Sequence, residues 1–347
     1  MRQSRIFFAV LIQVWYKIAS RRQDMTRRIL IAVALTIAIL GATALAQDDE
    51  VIKVDTRLVS VPVIVTDRDG RYVSGLTRKD FGILQDGAEQ PIDFFGANDE
   101  PLTVAILIDT SHSTRLVLSD IKDAAASFIK LLSPADRAMI VAFDANVRPL
   151  SELTTDHDRL LRAIKDASIP DKTGTVLREA VEHTIFKTLE GTSGRKAIIV
   201  LTDGEDGGSE SAHQKLLLKL QETDTLIYTI QFRTADKRMV EEMLRTGTIT
   251  SKMRNRETNN NARADAAGAF LKMMSMVTAG RAYSVESIKL KDAFAAILDE
   301  LRRQYRLGFY PAEGVPDAKL HEVKVRVARP NLVVRARGSY RLLPTEK

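Results

Sequence analysis

Two short runs of continuous apolar residues, each followed closely by an aspartate, constrain this chain more than any other feature. Val104-Ala105-Ile106-Leu107-Ile108 leads into Asp109, and Ala197-Ile198-Ile199-Val200-Leu201 leads through Thr202 into Asp203. Runs of this length and composition suit strands buried on both faces, as in a parallel sheet with helices above and below. In such open sheets, ligands sit in the crevice beyond the carboxyl ends of the strands. Both aspartates fall at that edge. Ser111 and Ser113 follow in Asp109-Thr110-Ser111-His112-Ser113, and Thr175 lies in a loop that can reach the same place. All five side chains offer hard oxygen, the donor type that Mg²⁺ prefers.

The rest of the central segment alternates as a parallel sheet requires. Strand 104–108 precedes a helix at 117–132, strand 138–143 a hairpin-like strand near 147–151, and helix 156–167 carries Leu160, Leu161 and Ile164 as its apolar stripe. Helix 176–190, strand 197–201, helix 210–221 and strand 225–232 follow. A polar stretch, Thr234–Arg263, reads as an exposed loop centred on Asn259-Asn260-Asn261, with a short helix at Lys237–Arg245. Helix 265–278, strand 281–285 and helix 290–304 complete the segment.

Both flanks read as β. Leu58–Thr66 largely alternates, turns follow at Asp67-Arg68-Asp69-Gly70 and Gln85-Asp86-Gly87-Ala88, and Val323, Val325 and Val327 alternate near the other end. Neither flank holds enough strands to be stable alone. The economical arrangement packs residues 47–99 and 305–347 as one β module, with an α/β domain of 100–304 inserted between them.

The formal charge of +6 is local. Residues 1–46 carry seven Lys or Arg and one acid, which leaves 44 of each sign in the remainder. No basic excess exists there to mark a nucleic-acid partner. Thr26-Arg27-Arg28, the 12 residues Ile29–Leu40 and the small-residue stretch ending at Ala46 read as a secretory signal over 25–46. Residues 1–24 read as an over-extension ahead of Met25. The expected location is therefore outside the cytoplasm, secreted or periplasmic, with an uncleaved membrane anchor through Ala46 as the competing reading. With no cysteine in the chain, thiol catalysis and cysteine metal ligation are excluded.

Asp109-Thr110-Ser111-His112-Ser113, Thr173-Gly174-Thr175 and Asp203-Gly204, in this order, resemble the metal-ion-dependent adhesion site of von Willebrand factor type A domains. The resemblance covers roughly 100–304. It implies a Rossmann-like, doubly wound fold that binds a protein partner through a divalent cation, Mg²⁺ or Mn²⁺. It also implies that Ser111 and Ser113 ligate directly, that Thr175 does so when a ligand is bound, and that Asp109 and Asp203 act mainly through water. His112 between the serines departs from the commoner pattern. The whole arrangement, flanks included, is similar to bacterial secreted proteins described as von Willebrand factor A-related. Asp80-Phe81, Asp86-Gly87 and Gln90, with Val333-Arg335-Ala336-Arg337-Gly338-Ser339-Tyr340, are the residues that carry this wider likeness.

Simpler readings account for the remaining candidates. His112 reads as a rim residue, because no acid is placed to make it a base for a serine nucleophile. His157, His183, His213 and His321 lack metal-ligand spacing. Met273, Met274 and Met276 read as packing residues. Because its direct ligands would be neutral hydroxyls, the cation would keep enough charge to attract an Asp or Glu carboxylate from a partner protein. The expected function is thus cation-dependent binding rather than turnover. A Mg²⁺-assisted phosphoester or ester hydrolase, and a scaffold with a stabilising metal, are the alternatives.

Overall fold

The computed structural model describes residues 57–96, 100–204, 206–207, 209, 212–232, 243, 245–247, 251–286, 289–311 and 318–343. Every described residue belongs to one compact unit, Asp55–Lys347. The expected signal at 25–46 lies outside the described residues, as does most of the helix expected at Lys237–Arg245.

The first flank forms β1 (Val59–Asp67), β2 (Phe81–Gln85), β3 (Ala88–Gln90) and β4 (Phe94–Gly96). The central segment contributes β5 (Leu102–Asp109), β6 (Arg137–Phe143), β7 (Val147–Pro149), β8 (Arg195–Thr202), β9 (Leu226–Phe232) and β10 (Ala282–Val285). The second flank adds β11 (Tyr305–Phe309), β12 (Leu320–Val327), β13 (Leu332–Ala336) and β14 (Ser339–Arg341).

The central sheet has the order β10-β9-β8-β5-β6-β7 and is parallel apart from β7, which turns back on β6. Its helices are α1 (Leu118–Leu131), α2 (His157–Asp166), α3 (Leu177–His183), α4 (His213–Lys219), α5 (Ser251–Val277) and α6 (Leu290–Arg302). Alternate residues of β5 serve opposite faces, as the period of two in a strand requires. Val104, Ile106 and Ile108 join the core that holds Ile121, Leu160 and Phe294, whereas Ala105 and Leu107 join the core that holds Leu177, Leu216 and Phe270. Burial on both faces is why β5 and β8 read as unbroken apolar runs. Strand order reverses between β5 and β8, so the crevice outside their carboxyl ends is the ligand position this topology favours.

The flanking strands form two antiparallel four-stranded sheets, ordered β13-β1-β11-β4 and β14-β12-β2-β3. Each draws on both flanks: β1 pairs with β11 and β13, and β2 pairs with β12. Val59, Val61, Val63 and Val65 from β1 share one core with Phe81, Ile83, Leu307, Phe309, Val323 and Tyr340. The expected α/β fold with a smaller β module built from the two flanks is the fold observed.

Two expectations need correction. The polar stretch before residue 265 is not a loop from 251 onward, since α5 is a single 27-residue helix. Ser251–Arg263 carries no apolar period, so the sequence holds no amphipathic signal there. The Ala-rich half that follows docks on β9, and the helix extends backward from that packed half. Of Met273, Met274 and Met276, expected to pack, Met274 is buried, whereas Met273 and Met276 are exposed.

Candidate metal site

The site begins where β5 ends. Asp109 is fully buried, and its Oδ1 accepts the backbone N–H of Ser111 at 2.9 Å. That bond bends the chain sharply out of the strand, the local turn for which aspartate is suited. A short 3₁₀ turn over His112–Thr114 follows, leading toward α1. Thr114 secures it, its hydroxyl donating to the carbonyls of Asp109 (3.1 Å) and Ser111 (2.9 Å). Within this turn the Ser111 and Ser113 hydroxyl oxygens lie 2.9 Å apart. His112 points elsewhere: its exposed ring donates through Nε2 to the carbonyl of Pro170 at 2.7 Å, which supports its reading as a rim residue.

The second piece comes from the end of β8. Thr202, whose role the sequence did not announce, donates to Asp109 Oδ2 at 2.7 Å and accepts from Gly204 N at 2.9 Å. One hydroxyl thereby joins the β5 turn to the Asp203 turn. Gly204 adopts a φ of +93°, and a Cβ there would stand 2.8 Å from the Cβ of Ala267 on α5. Both conditions call for glycine. Gln231, at the carboxyl end of β9, donates to the carbonyls of Asp203 (3.3 Å) and Ala264 (2.7 Å), fixing the same turn against α5. A glutamine between Ile230 and Phe232 was the signal that could have revealed it.

Thr175 arrives on a separate loop. It is buried, and Val176 N donates to the carbonyl of Asp144, the residue after β6, at 2.8 Å. Gly174 is seated on Ala145 with a φ of +141°. Asp109, Ser111 and Ser113 are thus directly linked by hydrogen bonds, and Asp203 is near enough for its charge to act on Asp109. Thr175 shares the sheet edge with them without a hydrogen bond to the other four.

Burial pushes the Asp109 carboxyl up to about 7, and the neighbouring Asp203 charge adds to the effect. Hydrogen bonds from Ser111 and Thr202 oppose it without cancelling it. Among the described residues, no Lys, Arg or His forms an ion pair with Asp109. Nor does any group of three or more His, Cys, Asp or Glu suited to a metal occur among them. The donor set is instead two serines, a threonine and two carboxylates, all oxygen. It fits a hard divalent cation and gives no basis for thiolate or imidazole ligation.

The model of the von Willebrand factor type A domain matches residues 103–293. No curated protein matches the chain. Among solved structures, an aerotolerance-related membrane protein from Bacteroides fragilis is similar over 58% of this chain and 98% of its own, at 16% identity and a TM-score of 0.43. The von Willebrand factor domain of a type V pili tip protein from Porphyromonas gingivalis is similar over 58% and 94%, at 12% identity and a TM-score of 0.40. A proximal thread matrix protein of the mussel byssus, solved with zinc in its adhesion-site motif, is similar over 62% and 49%, at 12% identity and a TM-score of 0.45.

Proposed function

Because the chain belongs to the von Willebrand factor type A domain family, we propose that it is an exported module that binds a partner protein through a divalent cation. Asp109, Ser111, Ser113, Thr175 and Asp203 would hold Mg²⁺ or Mn²⁺. The observation that carries this reading is the buried Asp109 carboxylate beside Asp203, in no ion pair with a basic side chain among the described residues and bonded to the Ser111 backbone N–H, with the Ser111 and Ser113 hydroxyls linked to each other in the same turn. A buried carboxylate in that setting calls for a cation. The cation, once bound, would supply a positive centre for one further anionic oxygen, an Asp or Glu carboxylate of the partner.

The chain's own residues divide the work. Asp109 orients Ser111 through its backbone N–H and receives Thr202, so it sets the geometry of both turns. Thr175, on a loop of its own, would respond to the partner. Binding rather than turnover is supported by His112, which is engaged with Pro170 and so is not aimed at either serine. The proposed location outside the cytoplasm rests on the leader-like segment 25–46. No helix among the described residues is long and apolar enough to cross a membrane. An anchor, if one operates, would be the segment ending at Ala46.

Calorimetric titration of wild type, Asp109→Ala and Thr175→Ala with Mg²⁺ tests the reading. Asp109→Ala is expected to weaken metal binding about 10–100-fold, and Thr175→Ala much less. Capture of partner proteins from the native envelope should be abolished by EDTA and by Thr175→Ala. Equal Mg²⁺ binding by all three chains would refute the site. Mg²⁺-dependent phosphoester turnover that disappears in Asp109→Ala would replace the binding module with a hydrolase.

A further inference from the structure

The two pieces of the site that share no hydrogen bond are joined by residues outside it. Asp144 follows β6 directly, and its side chain is only 1% exposed. Its Oδ2 accepts from Arg148 Nη2 at 2.7 Å, Arg148 Nε at 3.1 Å and the Thr110 hydroxyl at 3.0 Å. Oδ1 accepts from Asn146 N at 3.1 Å. Thr110 lies between Asp109 and Ser111, so this carboxylate grips the β5 turn from the side. The Asp144 carbonyl meanwhile receives Val176 N, the residue after Thr175, at 2.8 Å. Arg148 Nη2 also donates to the Thr110 hydroxyl and to the carbonyl of Ser168, both at 3.1 Å. The segment 168–176 is therefore fastened at Ser168 by Arg148, at Pro170 by His112, and at Val176 by Asp144.

From this geometry we propose that Asp144 and Arg148 are positioning residues for Thr175, setting how that threonine meets a metal-bound carboxylate. The inference rests on the metal-dependent reading above. A guanidinium fork meets a carboxylate through two donors and still has others for nearby oxygens, which a lysine ammonium cannot reproduce in one geometry. Here the fork spans the Asp144 carboxylate, the Thr110 hydroxyl and the Ser168 carbonyl at once. Arg148 is about one-third exposed, at 34%, and so can be replaced without opening the core.

Mn²⁺ binding, followed by the electron paramagnetic resonance signal of free Mn²⁺ with and without acetate as the carboxylate probe, tests this. If acetate joins the metal with help from Thr175, it tightens Mn²⁺ binding in wild type, and the coupling must be reciprocal. Arg148→Ala is expected to reduce the acetate effect about fivefold or more. Arg148→Lys should restore it only in part, and Asp144→Asn should behave like Arg148→Ala where it folds. In a Thr175→Ala background, Arg148→Ala should cause no further loss of the acetate effect, while its effect on melting persists; residues acting through one another are non-additive in this way. An acetate effect that Arg148→Ala leaves unchanged, or lowers equally in both backgrounds, overturns the proposal. So does a wild type that binds Mn²⁺ in an Asp109-dependent manner with no acetate effect, an outcome that leaves the metal site standing. Mn²⁺ binding that is the same in wild type and Asp109→Ala removes the site itself.

Discussion

Glu300 on α6 and Asp109 at the end of β5 are both fully buried carboxylates, and their surroundings are opposites. Glu300 accepts from the Tyr228 hydroxyl at 2.6 Å and from the Tyr72 hydroxyl at 3.1 Å. It also pairs with Arg335 and with Arg281, the latter at 3.4 Å. Burial, then the Glu300 charge, pushes both tyrosine hydroxyls up, which keeps them protonated as donors. Tyr72 and Arg335 belong to the β flanks, whereas Tyr228, Arg281 and Glu300 belong to the α/β segment. The cluster fastens one to the other, and Arg335 extends it by donating to the Gly280 carbonyl at 2.8 Å. Asp109 has two hydrogen-bond donors, an acidic neighbour and no basic partner among the described residues. A buried charge neutralised within the chain is structural. Under the proposed function, Asp109 is the charge left for an external ion to neutralise, and its cost to the metal-free fold would be part of how it selects a cation.

The largest expected difference is at Glu300. Glu300→Ala leaves two guanidinium groups and two hydroxyls without their shared acceptor and should cost about 3 kcal/mol. The figure sits at the low end of the range because Arg281 is almost half exposed, at 46%. Denaturant titration in EDTA and in Mg²⁺ should give the same loss, and a loss that Mg²⁺ repairs would break the contrast. Asp109→Asn should act in the opposite direction. It removes a buried charge repelled by Asp203, and the Thr202 hydroxyl can turn to accept from the new amide. We expect a gain of about 1–2 kcal/mol for the metal-free chain at pH 8, together with loss of Mg²⁺-induced stabilisation. Metal-free destabilisation by Asp109→Asn would place Asp109 in the same class as Glu300.

The pH dependence sharpens the same point. With its carboxyl pushed up to about 7 from an ordinary 3.8, Asp109 takes up its proton more readily in the folded chain than in the unfolded one. Its contribution to metal-free stability is full below the ordinary value and is lost as pH rises through about 7. A divalent cation favours the ionised form, so the gap in melting temperature between Mg²⁺ and EDTA should widen by a few degrees between pH 5 and 8. A gap independent of pH would remove Asp109 as its cause. The smallest effect belongs to an exposed pair. Arg303→Ala loses the Asp299 contact at 2.8 Å, and a change of at most about 0.5 kcal/mol is expected in equilibrium unfolding.

Much of this was legible beforehand, for identifiable reasons. The runs before Asp109 and Asp203 announced strands buried on both faces, and the turn at Asp109-Thr110-Ser111-His112-Ser113 is local enough for its hydrogen bonds to connect near neighbours. Thr202 and Asp144 escaped notice because each acts across a separation in sequence, on residue 109 and on residues 110 and 176 respectively. Glu300 escaped for the same reason: on a helix of mixed pattern it looks like any exposed acid, and its partners lie as far away as Tyr72. The helical course of 251–263 was hidden differently, because a polar segment without period carries no signature of what its far end packs against.

The sequence by itself determined the parallel α/β core, the candidate donor types and the β character of both flanks. Those follow from side-chain periodicity, from hydrophobicity and from oxygen chemistry, all of which are local. Tertiary structure alone decided that β1 would lie between β11 and β13, that Asp144 and Arg148 would hold the Thr175 loop, and that Glu300 rather than Asp109 would be neutralised from within. The physical reason is that desolvation and ion pairing depend on what surrounds a charge in space. A one-dimensional pattern specifies which residues can be buried, and only the packed fold specifies what they are buried beside.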